Sequence, residues 1–261
     1  MGKYLLLFVA SIFATSTLKS QNDTIYVMKN GGILWKYKIS AVDSIIFYKP
    51  TLPKIVDADG NVYNSVIIGT QVWMVENLKT TKYNDFTTIS LVTDNTTWKN
   101  LITPGYCWYG NDEATYKATY GALYNWYAVL TTKLCPTGWH VPTSSDWETL
   151  TNYLINIGYS GFIGKSLAAT TNWTYINDAA AVGSTEYPYI RNVTGFTALP
   201  GGFRRITDGT FRLIGDQGFW WSATEAGSDM ATFRYLHYTL PGFDYLSDSY
   251  KYGLSVRCVK N

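Results

Sequence analysis

Charge is scarce in this chain. Asp, Glu, Lys and Arg make up 15% of its 261 residues, and 21 basic against 19 acidic side chains leave a net charge of +2. Such a balance supplies no field to gather nucleic acid or an anionic membrane, so no nucleic-acid partner is expected. Histidine is limited to His140 and His237, and cysteine to Cys107, Cys135 and Cys258. Past the first twenty residues no apolar run approaches the ~20 residues needed to cross a bilayer, and no transmembrane segment is expected in the mature chain. Aromatic residues, by contrast, reach 16%, more than a core of this size requires, which places some rings on the surface. The hydrophobic share of 46% excludes disorder as the main state.

Lys3 followed by the apolar run Tyr4–Ala14 and by small or polar residues to Ser20 reads as a secretory signal peptide, cleaved after Ser20. No cysteine near that boundary could carry a lipid. A secreted, periplasmic or cell-surface location in a bacterial envelope is therefore expected. In an oxidising compartment three cysteines allow one bridge and one free thiol. Cys135 with Cys258 is the preferred pair, closing a loop worth roughly 4 to 5 kcal/mol in the chain-entropy model. Cys107 with Cys135 is the rival. No C-x-x-C spacing exists for a zinc knuckle.

Four segments are expected: 1–20, the signal peptide; 21–50, a small β-hairpin unit; 51–56, a linker; and 57–261, the main domain. In the second, Thr24–Met28 and Ile33–Ile39 alternate around the turn residues Lys29-Asn-Gly-Gly32, and Ile45–Tyr48 reads as a third strand. In the main domain, Val62–Ile68 and Gln71–Leu78 read as paired strands with a turn at Gly69. Leu123, Trp126, Tyr127 and Leu130 have the spacing of one helix face over 121–130. A second helix follows Pro142: Thr143 is its N-cap, Asp146 stands three residues on, and Trp147, Leu150, Leu154 and Ile157 repeat down one face until Gly158. Short apolar alternations at 196–199, 219–222, 232–238 and 253–259 predict short strands joined by long loops, with any ligand surface between about 158 and 250.

Tests for catalytic chemistry fail one by one. Gly158–Ser166 resembles a phosphate loop but has Tyr159 where glycine is needed, and it follows a helix. Neither histidine has the context of a serine triad. Asp146 and Glu148, two apart on a helix, point to different faces and do not form a glycosidase pair. Asp57, Asp59 and Asn61 resemble the start of a calcium loop, but the glycine comes too early and no glutamate follows at the required distance, so a hairpin turn explains them equally well. No cofactor, no metal ligand set and no enzyme activity are expected. What remains is a surface candidate of rings and guanidinium groups: Arg204, Arg205, Phe211, Arg212, Trp220, Trp221, Tyr235 and His237, suited to stacking on sugar faces and to fork-shaped hydrogen bonding. At least one of the adjacent tryptophans is expected in the core.

Several strings together resemble one family: Asp59-Gly-Asn-Val-Tyr63, Ile68–Leu78, Tyr120–Trp126, Leu134-Cys-Pro-Thr-Gly-Trp-His-Val-Pro-Thr143, Leu199-Pro-Gly-Gly-Phe-Arg204, Trp220-Trp-Ser222 and Ser255-Val-Arg-Cys258. Over about 55–261 they are similar to the Fibrobacter succinogenes major paralogous domain family. The resemblance implies an α+β, C-type-lectin-like fold, also similar to formylglycine-generating enzymes: two helices on a small, mostly antiparallel sheet with a long loop-rich lobe, preceded by the hairpin unit. It implies neither known chemistry, since Trp220-Trp-Ser-Ala223 stands where calcium-dependent lectins carry Trp-Asn-Asp, and Cys258 has no partner nearby for formylglycine generation. The expectation is an exported binding module whose partner is a glycan or an extracellular protein; the alternatives are a secreted enzyme on the same fold, a glycan hydrolase or a formylglycine-generating-enzyme relative, and a purely structural envelope protein.

Overall fold

A computed structural model of the chain describes residues 24–29, 32–38, 52 and 54–261. The chain divides into two units, Met1–Thr51 and Leu52–Asn261. In the first, β1 (Thr24–Lys29) and β2 (Gly32–Lys38) pair antiparallel, with a register shift after Val27. The leader over 1–20 and the strand expected at 45–48 lie outside the described residues.

The second unit opens with β3 (Ile55–Val56) and β4 (Val62–Tyr63), joined by a turn in which Asp57 Oδ1 accepts the backbone N–H of Asp59 and of Asn61, each at 2.9 Å. β5 (Ser65–Ile68) reverses into β6 (Gln71–Met74) at Gly69, whose φ of 62° suits glycine. Then come β7 (Ser90–Leu91), α1 (Asn95–Asn100), β8 (Gly105–Cys107), α2 (Glu113–Tyr120), β9 (Leu123–Tyr124), α3 (Trp126–Leu130) and β10 (Trp139–His140). α4 (Ser144–Asn156) starts at Thr143, which accepts the Asp146 N–H while the Asp146 carboxylate accepts the Thr143 N–H in return. Trp147, Leu150 and Leu154 are its buried stripe. After α5 (Ile163–Leu167), residues 168–200 form neither helix nor strand beyond one parallel bridge between Ala168 and Ala198. The rest is sheet: β11 (Gly201–Arg204), β12 (Phe211–Ile214), β13 (Gln217–Gly227), β14 (Met230–His237), β15 (Asp244–Ser249) and β16 (Val259–Lys260).

The larger sheets have the orders β10-β16-β6-β5 and β12-β11-β13-β14-β15; β3-β4 and β7-β8-β9 are small. This architecture corrects the α+β, C-type-lectin-like expectation. The unit is mostly β, and α4 is the single helix longer than eight residues among the described ones. The helix expected over 121–130 breaks into a strand and one helical turn. Gly121 ends α2 at φ 74°, where a Cβ would stand 2.6 Å from the Leu78 carbonyl, and Leu123–Tyr124 pairs with β8. Leu130, at the end of the supposed apolar face, is exposed. The strands expected at 219–222 and 232–238 lie within β13 and β14 of the five-stranded sheet, whereas 196–199 is not a strand and 253–259 reaches strand only at Val259.

Aromatic packing fills the interior. Trp73 stacks on Trp147 with ring centres 4.6 Å apart and meets Phe196 edge-on, while Trp126 stacks on Tyr250 at 4.3 Å. Cys135 and Cys258 form the disulfide, as preferred from the sequence, and Cys107 is a buried free thiol.

Candidate functional site

Strand alternation sorts the residues singled out in the sequence onto the two faces of the five-stranded sheet. Trp220 pairs with Arg234 and Trp221 with Phe233, so the adjacent indoles point in opposite directions. Both are fully buried, because each face is covered at that level. Trp220 packs with Phe243 and donates to Asn77 Oδ1 at 2.9 Å; Trp221 donates to the Tyr124 carbonyl at 2.8 Å beside Trp126, whose own Nε1 reaches Ser222 O. Neither can stack on a ligand.

Arg204 is likewise interior, with no exposed surface. Its Nε donates to Gly209 O at 2.8 Å, Nη1 to Val92 O, and Nη2 to Thr93 O and Asn95 Oδ1 at 2.9 and 3.0 Å. The guanidinium lies between the rings of Trp98 and Phe211, 4.5 and 4.9 Å from their centres. Carbonyl oxygens and ring faces thus take the place of a carboxylate around this cation. Phe211, its cross-strand partner, is one wall of that cage. Arg204, Trp220 and Trp221 are therefore packing residues, which corrects their reading as ligand contacts, while Phe211 is half-buried against Arg204 and Tyr109.

The remaining residues stay at the surface. Arg205 and Arg212 flank Asp208 at the tip of the β11–β12 hairpin, at 3.7 and 3.5 Å, and all three are exposed. Tyr235 and His237 are half-buried on β14. His237 Nδ1 accepts the Thr239 N–H at 3.1 Å, which leaves the ring proton of the neutral imidazole on Nε2, and the ring stacks on Tyr238.

Register then shows what sequence reading missed. Arg212 pairs with Phe203, Gly202 with Gly218, Phe219 with Tyr235, and Tyr235 with Asp244. Arg212, Phe203, Phe219, Tyr235 and Asp244 therefore form one row across five strands on a single face, about 19 Å long at the usual strand spacing. Phe203 and Phe219 meet edge-on at 5.2 Å, and Phe219 and Tyr235 stack at 6.1 Å. Tyr252 extends the aromatic strip from Phe203 at 5.5 Å. Burial, together with Asp244, pushes the Tyr235 hydroxyl above its ordinary range, so it is a neutral hydrogen-bond donor. Lys251, the residue before Tyr252, and Ile206, the residue after Arg205, line an open groove of about 750 Å³ with Tyr127 and Asp229. The row thus has rings in its middle, half-buried at Phe203 and Tyr235 and buried at Phe219, with an exposed guanidinium at one end and an exposed carboxylate at the other. Period-two alternation in each strand was the available signal for Phe203 and Phe219, but only the pairing of β11 with β13 aligns them.

The turn that resembled a calcium loop is hydrogen-bonded within itself and to its surroundings. Asp57 Oδ2 accepts from Tyr63 Oη at 2.6 Å, and Asp59 takes the Thr81 N–H and pairs with Lys82 at 3.3 Å. Among the described residues, no group of three or more His, Cys, Asp or Glu side chains is placed to hold a metal ion.

A family model, the Fibrobacter succinogenes major domain, matches residues 66–260. The chain belongs to that family. Comparison with curated proteins and with solved structures gives no match. The Fibrobacter succinogenes major domain runs from β5 to β16 here, so it contains the disulfide, both larger sheets and the aromatic row, and excludes β1 and β2. Among the described residues, no helix is long and apolar enough to cross a membrane.

Proposed function

We propose that this chain is an exported, non-catalytic binding module of the cell envelope that holds an extended glycan along the aromatic row of the five-stranded sheet. The observation that carries the reading is the row Arg212, Phe203, Phe219, Tyr235 and Asp244, with exposed charged groups at its ends and the half-buried rings Phe203 and Tyr235 on either side of the buried Phe219. Ring faces attract the C–H surface of a sugar, and the end groups hydrogen-bond hydroxyls, so a linear oligomer lying across the strands meets both. The groups along the row are donors, acceptors and rings; none is a nucleophile beside a base, which favours holding a ligand over transforming it.

The test is a glycan array probed with the exported protein, with calcium and with chelator, beside Tyr235→Ala and Arg212→Ala. Binding that both variants lose supports the reading; a folded protein that binds no glycan in either condition sinks it. An extracellular protein is the second reading, favoured by β15. It is the outer strand of the sheet, and Tyr245 and Leu246 on it are 65% and 54% exposed, so its free edge can pair with another chain.

A further inference from the structure

The four-stranded sheet has an outer face that the aromatic row does not use. On its inner face Val259 pairs with Trp73; both are buried, and Trp73 stacks on Trp147. One step along each strand, alternation turns the neighbours the other way: Trp139 pairs with Lys260, Lys260 lies opposite Val72, and Val72 pairs with Ile67. Further along that outer face Met74 and Cys258 are fully buried in one cluster with Ile55 and Tyr63 of the β3–β4 hairpin. Where this cover stops, a groove of about 270 Å³ opens, with Ile55, Val72, Pro136 and Trp139 among its apolar walls and Lys54 and Lys260 beside them.

Two features give the groove a fixed shape and a sign. Cys135 precedes Pro136, and Cys258 stands two residues before Lys260, so the disulfide ties together two segments that line it. Walls held in place before a ligand arrives lose less entropy when it binds. Lys54 and Lys260 are exposed and make no ion pair among the described residues, and no acidic side chain lines the groove. The carboxylates on the adjoining segments are engaged: Asp57, after β3, accepts from Asn61 and Tyr63, and Glu76, after β6, accepts the backbone and side-chain N–H of Asn64. Lysine stems lie along apolar surface while their ammonium groups stay in water, which leaves an apolar floor under a cationic rim.

We infer that this groove binds an amphiphilic anion, a single medium-chain aliphatic carboxylate, with its chain on the apolar floor and its carboxylate at the two lysines. Burial of methylenes supplies the gain, and the ammonium groups choose the sign. A saccharide suits the groove less, because its polar side chains besides the lysines are only the hydroxyls of Ser65 and Thr137 and the Trp139 indole. The volume, at the small end of ligand pockets, fits one small molecule and not a polymer. Surface and ligand both differ from those of the glycan site, so the two readings fail separately.

The experiment titrates the full exported protein, labelled with nitrogen-15, with hexanoate and octanoate below micelle-forming concentration, and with octan-1-ol and octylamine as neutral and cationic contrasts. The amide signals of Lys54, Val72 and Lys260 and the Trp139 indole N–H report the site. These signals should shift together, affinity should rise about fourfold per methylene from hexanoate to octanoate, the transfer gain of one buried CH₂, and both contrasts should bind more weakly than octanoate. The double variant Lys54→Gln/Lys260→Gln should weaken octanoate by about three- to tenfold, the scale of two exposed ion pairs, and Tyr235→Ala should leave it unchanged. Both lysines are exposed, so the double variant keeps its fold, whereas Trp139→Ala, which also removes packing against the core, is read only with its melting temperature. No binding of octanoate by folded protein overturns the inference. So do octanol binding as tightly as octanoate, an affinity independent of chain length, and full affinity in the double variant.

Discussion

Trp220 and Arg257 share one acceptor: the indole Nε1 and the guanidinium Nη2 donate to the same oxygen, Asn77 Oδ1, at 2.9 and 2.8 Å. Arg257 is fully buried, with its plane 4.3 Å from the Phe196 ring centre and further bonds to the carbonyls of Phe196 and Thr197. Burial pulls its guanidinium down to about 9, so it is still a cation at neutral pH. Asn77→Leu strips both donors of their acceptor, and an expected loss of about 2 to 4 kcal/mol in urea unfolding at pH 7 checks it.

Arg204→Ala distinguishes a packing arginine from a ligand-binding one. The substitution leaves the carbonyls of Gly209, Val92 and Thr93 without this donor and opens the space between Trp98 and Phe211. It is expected to cost about 3 kcal/mol or more of stability. Ligand affinity per folded molecule should be unchanged, whereas Arg212→Ala should reverse the pattern. Urea melts and a binding titration on the same preparations decide it.

The three cysteines predict a thiol count. Native protein should react with no thiol reagent, since burial pushes Cys107 up to about 12 and the other two are bonded. Denaturant alone should release one thiol, and denaturant with reductant three. The bridge joins residues 123 apart in sequence. Its reduction removes roughly 4 to 5 kcal/mol in the chain-entropy model. The melting temperature should then fall by on the order of 10 °C.

Asp146 makes stability depend on acid. Burial raises its carboxyl, but the backbone and hydroxyl of Thr143 and the His140 ring bind the charged form more strongly and hold it below the ordinary value. A carboxylate lowered in the folded state contributes fully above its unfolded pKa and loses that contribution as pH falls through the folded one. Asp146→Ala should therefore cost about 1 to 2 kcal/mol at pH 7 and less near pH 3, measured by urea unfolding at both values.

The sequence by itself determined the features whose causes lie within a few residues. Thr143 and Asp146 start α4, and Trp147, Leu150 and Leu154 mark its buried stripe, because a capping box and a helix face are local geometry. Gly69 permits the β5–β6 reversal for the same reason. Family membership was also legible, as a set of short strings in order. Tertiary structure alone decided which face of a strand meets water. Arg204 became interior because Val92, 112 residues away, supplies a carbonyl to it, and Arg257 because Asn77, 180 residues away, does. Trp220 and Trp221 could be assigned to opposite faces by alternation, but not both to the interior, since coverage of each face comes from distant segments. Phe203, Phe219 and Tyr235 became one row only when β11 paired with β13 and β13 with β14. Alternation is a property of one strand, whereas a site on a sheet is a property of register between strands, and register is set by long-range packing.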